Sequence, residues 1–298
     1  MLNNLESGKG GILTGLEMVK DIFVGAPPPP TPATTVKVFV AGLPRTGTGS
    51  LTLALKEIGY NPVWGPDVAE FADEAAAVFA GKMSKGELLD AFGARGYDAA
   101  GLDVFGHMLW REAADIPGVK LILTERPVGG GAGWAESIGP TVAHHATYFT
   151  QRPLTFIPAV RKLGPWLRNF DPLYGPPGAL YDAAGLAAAY EKHQTEVKET
   201  YARLGKEVLV YNVKDGWGPL CKFLEIEACP QTPFPRQNDR EVMVAMTNTW
   251  WALTWVWPLV PLLAIFFVFV LCTCCCACGG RAPVAKATPK PKSKSKKI

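Results

Sequence analysis

Histidine is scarce in this sequence, at four of 298 residues, and cysteine is nearly absent from most of its length. Five of the seven cysteines (Cys272, Cys274, Cys275, Cys276 and Cys278) fall in one short run, leaving only Cys221 and Cys229 elsewhere. Two body cysteines cannot form the disulfide framework of a small secreted fold. The run itself is too dense for a four-ligand tetrahedron and has no histidine near it, so no metal centre is expected. A basic surface is lacking too. The formal charge is +3, but seven basic residues lie from Arg281 onward with no acid among them. Without that tail, 23 basic residues face 27 acidic ones, a balance that argues against a nucleic-acid partner.

One further absence is local. No charged residue occurs in the 22 positions from Trp250 to Leu271, about 33 Å as a helix, which matches a bilayer core. Trp250, Trp251, Trp255 and Trp257 crowd its first end like an interfacial aromatic belt, and Pro258 and Pro261 would kink it. The residues predict one C-terminal transmembrane helix over 250–271, followed by a cysteine cluster and basic tail over 272–298. The cysteines read as S-acylation sites. A bilayer partner and a single-pass, endomembrane location are therefore expected. Orientation stays open. Residues 1–25 have no continuous apolar core and so no signal peptide, which favours a cytosolic body. The lysine tail favours the opposite side, and Lys294 with Lys296 resembles a dilysine retrieval signal.

The rest of the chain has enough length for one sizeable α/β domain, and 48 % hydrophobic residues to fill its core. Residues 1–25 show apolar positions at helical spacing, an amphipathic helix. Residues 26–35 contain the stiff proline run APPPPTP, a linker. The domain then occupies 36–240. Strands are predicted at Val36–Val40, Val119–Thr124 and Val208–Tyr211, with shorter ones at Asn61–Trp64 and Ala99–Asp103. Helices are predicted over 48–59 and from about Leu180 to Leu204. Strands alternating with helices imply a parallel sheet covered on both faces, with ligands at the strands' carboxyl ends. Leu154–Pro177, rich in proline and aromatics, is expected to form an irregular lobe on the acceptor side.

The loop Gly42-Leu43-Pro44-Arg45-Thr46-Gly47-Thr48-Gly49-Ser50 joins the first strand to the first helix. Its glycines allow close backbone approach, its hydroxyls add donors, and Arg45 adds a permanent charge, together a phosphate cradle. A nucleotide-hydrolysing loop of the form G-x-x-x-x-G-K-[ST] would need lysine at position 48, where threonine stands. A dinucleotide fingerprint is absent, because Gly47-Thr48-Gly49 lacks the third glycine.

In this loop the sequence resembles the PAPS-dependent sulfotransferases, in the branch with a GLPRTGT-type motif. Two further stretches extend the resemblance over residues 36 to about 239. One is the strand Leu121–Glu125 ending at Arg126, followed by Trp134 and Ser137. The other is Gly216–Leu224, followed by Pro233-Phe234-Pro235-Arg236-Gln237-Asn238. The resemblance implies an α/β, P-loop NTPase-like fold and transfer of a sulfuryl group from PAPS to a hydroxyl or amine acceptor, without a metal. It implies that Pro44, Arg45, Thr46, Gly47, Thr48, Gly49 and Ser50 bind the 5′-phosphosulfate, that Arg126 and Ser137 grip the 3′-phosphate, and that Arg236 closes over the donor. Where the family has an acidic residue and a compact turn after the arginine, this chain has Pro127-Val128 and the glycine-rich stretch Gly129–Gly133, expected to be a flexible loop.

Sulfuryl transfer needs cations at the leaving oxygen, a role open to Arg45, and a base for the acceptor. Asp103 and His107 both follow a short strand on the active edge. The family carries an aspartate there, whereas His107 has the better intrinsic pKa. His144 and His145 are adjacent on a helix and so diverge. His193, in a charged helix, is expected on a solvated face. Two rivals remain open: a P-loop nucleotide phosphotransferase, and an inactive membrane scaffold with the same fold.

Overall fold

The computed structural model describes residues 34–64, 67, 70–102, 104–126, 128–143, 151–156, 161, 182–237 and 240–278. The predicted N-terminal helix and most of the proline linker lie outside the described residues, as does most of the lobe from Leu154 to Pro177. The chain divides into two units, the first ending at Thr254 and the second starting at Trp255.

Among the described residues of the first unit, four strands form one parallel sheet. They are β1 (Val38–Val40), β2 (Ala99–Ala100), β3 (Lys120–Thr124) and β4 (Val208–Tyr211), in the order β2-β1-β3-β4. The predicted strand at 61–64 contributes only an isolated bridge from Pro62 to Ala99. The strand predicted over 99–103 shortens to two residues, because Gly101 turns the backbone to φ 93°. A Cβ at Gly101 would run into the Val40 carbonyl.

Alternation along the strands sorts the core into two layers, since successive side chains leave a strand on opposite faces. Phe39, Ala41, Leu121 and Leu123 join one cluster with Phe71, Phe92, Phe105, Trp110 and Tyr201. Val38, Val40 and Ile122 join the other with Leu51, Leu55, Leu220 and Phe223. The first layer is supplied mainly by helices α2 (Ala72–Phe79), α3 (Lys85–Ala94), α4 (Val104–Ala113) and α6 (Ala183–Arg203). The second is supplied by α1 (Thr48–Glu57) and α7 (Trp217–Leu224). β4 lies at the sheet edge, and Val210 keeps 39 % of its surface exposed, so this run is less buried than its apolar composition implies.

Helix starts follow their local chemistry. Ser84 caps α3 in a reciprocal box with Glu87, and Asp182 caps α6 by accepting from the amides of Ala184 and Gly185. Cys221 on α7 is bonded to Cys229, closing a short loop that ties the following segment to the helix.

The glycine-rich stretch after β3 is not a flexible loop. From Gly130 it forms the first turns of helix α5 (Gly130–Ile138), which packs along α6. A Cβ at Gly131 would lie 2.5 Å from the Ala187 carbonyl of α6, so glycine lets the two helix backbones approach closely. Glu191 of α6 accepts from the Gly131 amide at 2.7 Å, placing a carboxylate on the N-terminus of α5.

The single apolar helix expected over 250–271 is also corrected. Helix α8 (Arg240–Val256) ends before Trp257 and Pro258, which form a turn, and helix α9 (Leu259–Cys278) begins after it. Pro258 has no amide hydrogen to continue the ladder, and its ring clashes with the preceding turn. Among the described residues, no helix is long and apolar enough to cross a membrane. In the second unit, α9 leaves its apolar side chains exposed all round, with Phe266, Phe267 and Phe269 each more than 60 % exposed.

Gly131→Ala tests the helix contact. Alanine favours a helix by about 1 kcal/mol over glycine, yet overpacking of this kind costs about 1–3 kcal/mol. The expected outcome is a net loss of stability in urea unfolding; a gain would show that α5 can shift away from α6 without cost.

Candidate functional site

The strand order reverses around β1. The chain leaves β1 toward β2 on one side and returns to place β3 on the other, so a crevice opens beyond the carboxyl ends of β1 and β3. The loop after β1 carries Arg45, and the segment after β3 carries Arg126.

Two close approaches shape this loop. A Cβ at Gly42 would collide with the Thr124 side chain at the end of β3, and one at Gly47 would meet Val213 at 2.7 Å. Gly47 also needs its positive φ, 99°, to turn into α1 as a cap without a side chain. Beneath the loop, the Thr46 hydroxyl donates to the Leu43 carbonyl at 2.6 Å and lies 2.5 Å from the Thr124 hydroxyl. Arg45 is left-handed at φ 69°, a conformation uncommon for a residue with a Cβ. Such strain persists where surrounding contacts enforce it.

Those contacts come from the segment after β3 and from α5. Arg126 Nη1 donates to the Arg45 carbonyl at 3.1 Å, and Trp134 Nε1 donates to the Pro44 carbonyl at 2.7 Å. Arg45 Nε in turn donates to Ser137 Oγ at 3.3 Å, across 92 residues of sequence. Arg45, Arg126 and Ser137 are thus brought to one place, with Arg45 and Arg126 partly exposed and Ser137 buried. The helical start of α5 is what delivers Ser137 there.

On the other side of the loop, Ser50 Oγ accepts from the Gln237 amide at 2.9 Å and donates to the Gln237 carbonyl at 3.3 Å. This ties α1 to the segment carrying Arg236. Ser50, Val213, Lys214, Phe234, Arg236 and Gln237 line a cleft of ≈ 930 Å³. Phe234 packs against Trp217 and Tyr211, and Trp217 Nε1 donates to the Thr232 carbonyl at 2.8 Å, so the cleft wall is anchored. Trp217 and Phe223 are packing residues of the second core layer.

The two base candidates fare differently. Asp103 lies outside the described residues. His107, on α4, has its ring 4.9 Å from that of His193. Burial, then the neighbouring His193, Arg111 and Lys85, lower its pKa to about 3, so its ring is neutral in ordinary buffers. His193 is not solvated: it is buried on the inner face of α6, and its Nε2 lies 2.6 Å from the Ala41 carbonyl. Burial lowers its pKa to about 4 against the opposing pull of that carbonyl and of Glu196, with Arg111 adding a smaller lowering. His144 and His145 lie outside the described residues.

Comparison with known proteins bears on this arrangement. A sequence model of the sulfotransferase domain matches residues 37–243. The chain belongs to that sulfotransferase family. It is also 24 % identical over 244 residues to the "Ava biosynthesis cluster protein M" of Aspergillus versicolor, covering 72 % of this chain and 86 % of that protein. The matched span contains every element of the sheet, the loop, Arg126, Ser137 and the Arg236 segment. No local pattern marks Thr124, Tyr190 or Gln194, whose partners lie tens of residues away in the chain.

The two neutral histidines predict acid sensitivity. Both pKa values lie below the ordinary 6.5, so their contribution to stability is complete above pH 6.5 and declines as pH falls toward 4 and then 3. Urea unfolding between pH 7 and 4.5 should lose up to about 1.4 kcal/mol per pH unit for each ring. His107→Gln should remove part of that slope, while unchanged stability from pH 7 to 5 would mean that both rings titrate normally.

Proposed function

We propose that this sulfotransferase takes its sulfuryl group from PAPS and transfers it to a hydroxyl or amine acceptor. The observation that carries the reading is the meeting of Arg45, Arg126 and Ser137 at the phosphate loop, in a chain that has threonine where a P-loop kinase needs lysine. The close glycines and the two guanidinium groups fit a doubly phosphorylated nucleotide. In this reading the fold is P-loop NTPase-like. Pro44, Arg45, Thr46, Gly47, Thr48, Gly49 and Ser50 hold the 5′ end of the donor, Arg126 and Ser137 the 3′-phosphate, and Arg236 with Lys214 the cleft side. The donor, when bound, supplies the activated sulfate.

For the chain's own residues, the roles follow from charge. Arg45 stabilises negative charge as it develops on the leaving oxygen. Its present hydrogen bond to Ser137 keeps its side chain at the loop, where a ligand can take it over. Asp103 is the favoured base for the acceptor. His107 is the weaker one, because an imidazole with so low a pKa has little affinity for a proton at neutral pH.

We also propose that the C-terminal unit attaches the protein to a bilayer. The exposed apolar helix α9, the exposed Trp255 before it, the exposed thiol of Cys272 and the basic tail of the sequence support this. The Cys221–Cys229 disulfide favours an oxidising compartment for the body, which suits the lumen of an endomembrane.

Calorimetry with PAP, the spent donor, tests the first reading. Binding is expected without magnesium and weakened at least about tenfold by Arg45→Ala or Arg126→Ala, the range for losing a charged hydrogen bond. No binding, or preferential binding of ATP, would sink it. Asp103→Asn should keep PAP affinity and lose turnover; retained turnover would move the base elsewhere. For the second reading, the full chain should resist alkaline carbonate and be released by detergent. Extraction by carbonate alone would overturn bilayer attachment.

A further inference from the structure

Helix α6 contributes three successive polar contacts to the site, and none of them reaches the crevice. Tyr190, His193 and Gln194 stand at positions i, i+3 and i+4 and so share one face of the helix. All three are buried, at 3 %, 3 % and 5 % exposure. The Tyr190 hydroxyl accepts from the Arg126 amide at 2.8 Å, and Gln194 Nε2 donates to the Thr124 carbonyl at 3.1 Å. His193 Nε2 meets the Ala41 carbonyl at 2.6 Å. Every partner is a backbone group just where β1 or β3 ends and its ligand-bearing loop begins.

The Ala41 contact has a definite chemistry. A carbonyl only accepts, so the 2.6 Å contact requires the proton on Nε2. Ala41 still pairs through its own amide with the Ile122 carbonyl, but its carbonyl points past the ladder toward α6. It immediately precedes Gly42, whose backbone is already pressed against Thr124. A neutral imidazole at this point holds the backbone where the loop leaves the strand without adding a buried charge.

We propose that His193 is a positioning residue for the donor site: its Nε2–H holds the Ala41 carbonyl and, with Gln194 and Tyr190, sets the loops of Arg45 and Arg126 in register before ligand binds. It touches no reacting atom. The link to the donor rests on the sulfotransferase reading, while the hold on the loop does not. A glutamine amide can reproduce the reach of Nε2 and donate as Gln194 does. Asparagine corresponds to Nδ1 and falls short, and leucine keeps bulk but has no donor.

The experiment combines two readouts on the full chain with His193→Gln, His193→Asn and His193→Leu. The first is hydrogen exchange of the Gly42–Ser50 amides without ligand; the second is PAP affinity by calorimetry. Leucine and asparagine should speed exchange in the loop at least about tenfold and weaken PAP at least about tenfold, the loss of one buried hydrogen bond. Glutamine should restore both to within about threefold. Unchanged exchange in the leucine variant, or equal impairment by glutamine and leucine, would overturn the proposal. If the wild-type chain does not bind PAP, exchange still decides the role of His193, and the donor assignment is what fails. If the leucine variant does not fold, the contrast of glutamine with asparagine decides.

Discussion

The hydrogen bond from the Arg126 guanidinium to the Arg45 carbonyl joins the segments that follow the two central strands. Much of the site depends on it. It engages the backbone of a residue in the left-handed region, where a side chain is costly, and so helps to keep Arg45 at φ 69°. With the carbonyl turned toward β3, the Arg45 side chain reaches across to Ser137. A cation that bridges two loops is suited to a polyanionic ligand, because a guanidinium has five N–H donors and those not used in the bridge can donate to a phosphate or sulfate oxygen without rearranging the scaffold.

That bridge requires close packing behind it. Glycine at 42 lets the loop lie on Thr124, and glycine at 131 lets α5 lie on α6, which brings Trp134 and Ser137 to the Pro44 and Arg45 side of the loop. α6 is the common support: it packs along α5, and its buried polar face holds the backbone at both strand ends. Buried polar groups of this kind are costly unless paired. Here the Tyr190 hydroxyl, His193 Nε2 and Gln194 Nε2 pair with strand-end amide and carbonyl groups, while Gln194 Oε1 stays buried without a partner among the described residues.

Much of the layout was legible in the residues. The runs Val36–Val40, Val119–Thr124 and Val208–Tyr211 identify three of the four strands, because β-branched and aliphatic runs bounded by glycine, proline or charge have few other folds available. The loop was legible from glycine and hydroxyl density. Other features were not. His193 lies among Glu191, Lys192 and Glu196, so its neighbours in sequence suggested solvent, while the helix turns it the other way. Gly129–Gly133 suggested flexibility, since a glycine needed for helix contact looks the same in sequence as one needed for freedom. The apolar run 250–271 suggested one helix, and the break at Pro258 was apparent only as a kink.

By itself the sequence determined the alternation of strands and helices and the family to which its motifs point, because these rest on local pattern and residue type. Only the tertiary structure decided that Arg45, Arg126 and Ser137 meet, that α5 begins within a glycine run, and that a histidine on a charged helix faces the loop. Those outcomes depend on strand order and helix packing, which bring together groups tens of residues apart in the chain, and no local pattern encodes such a distance.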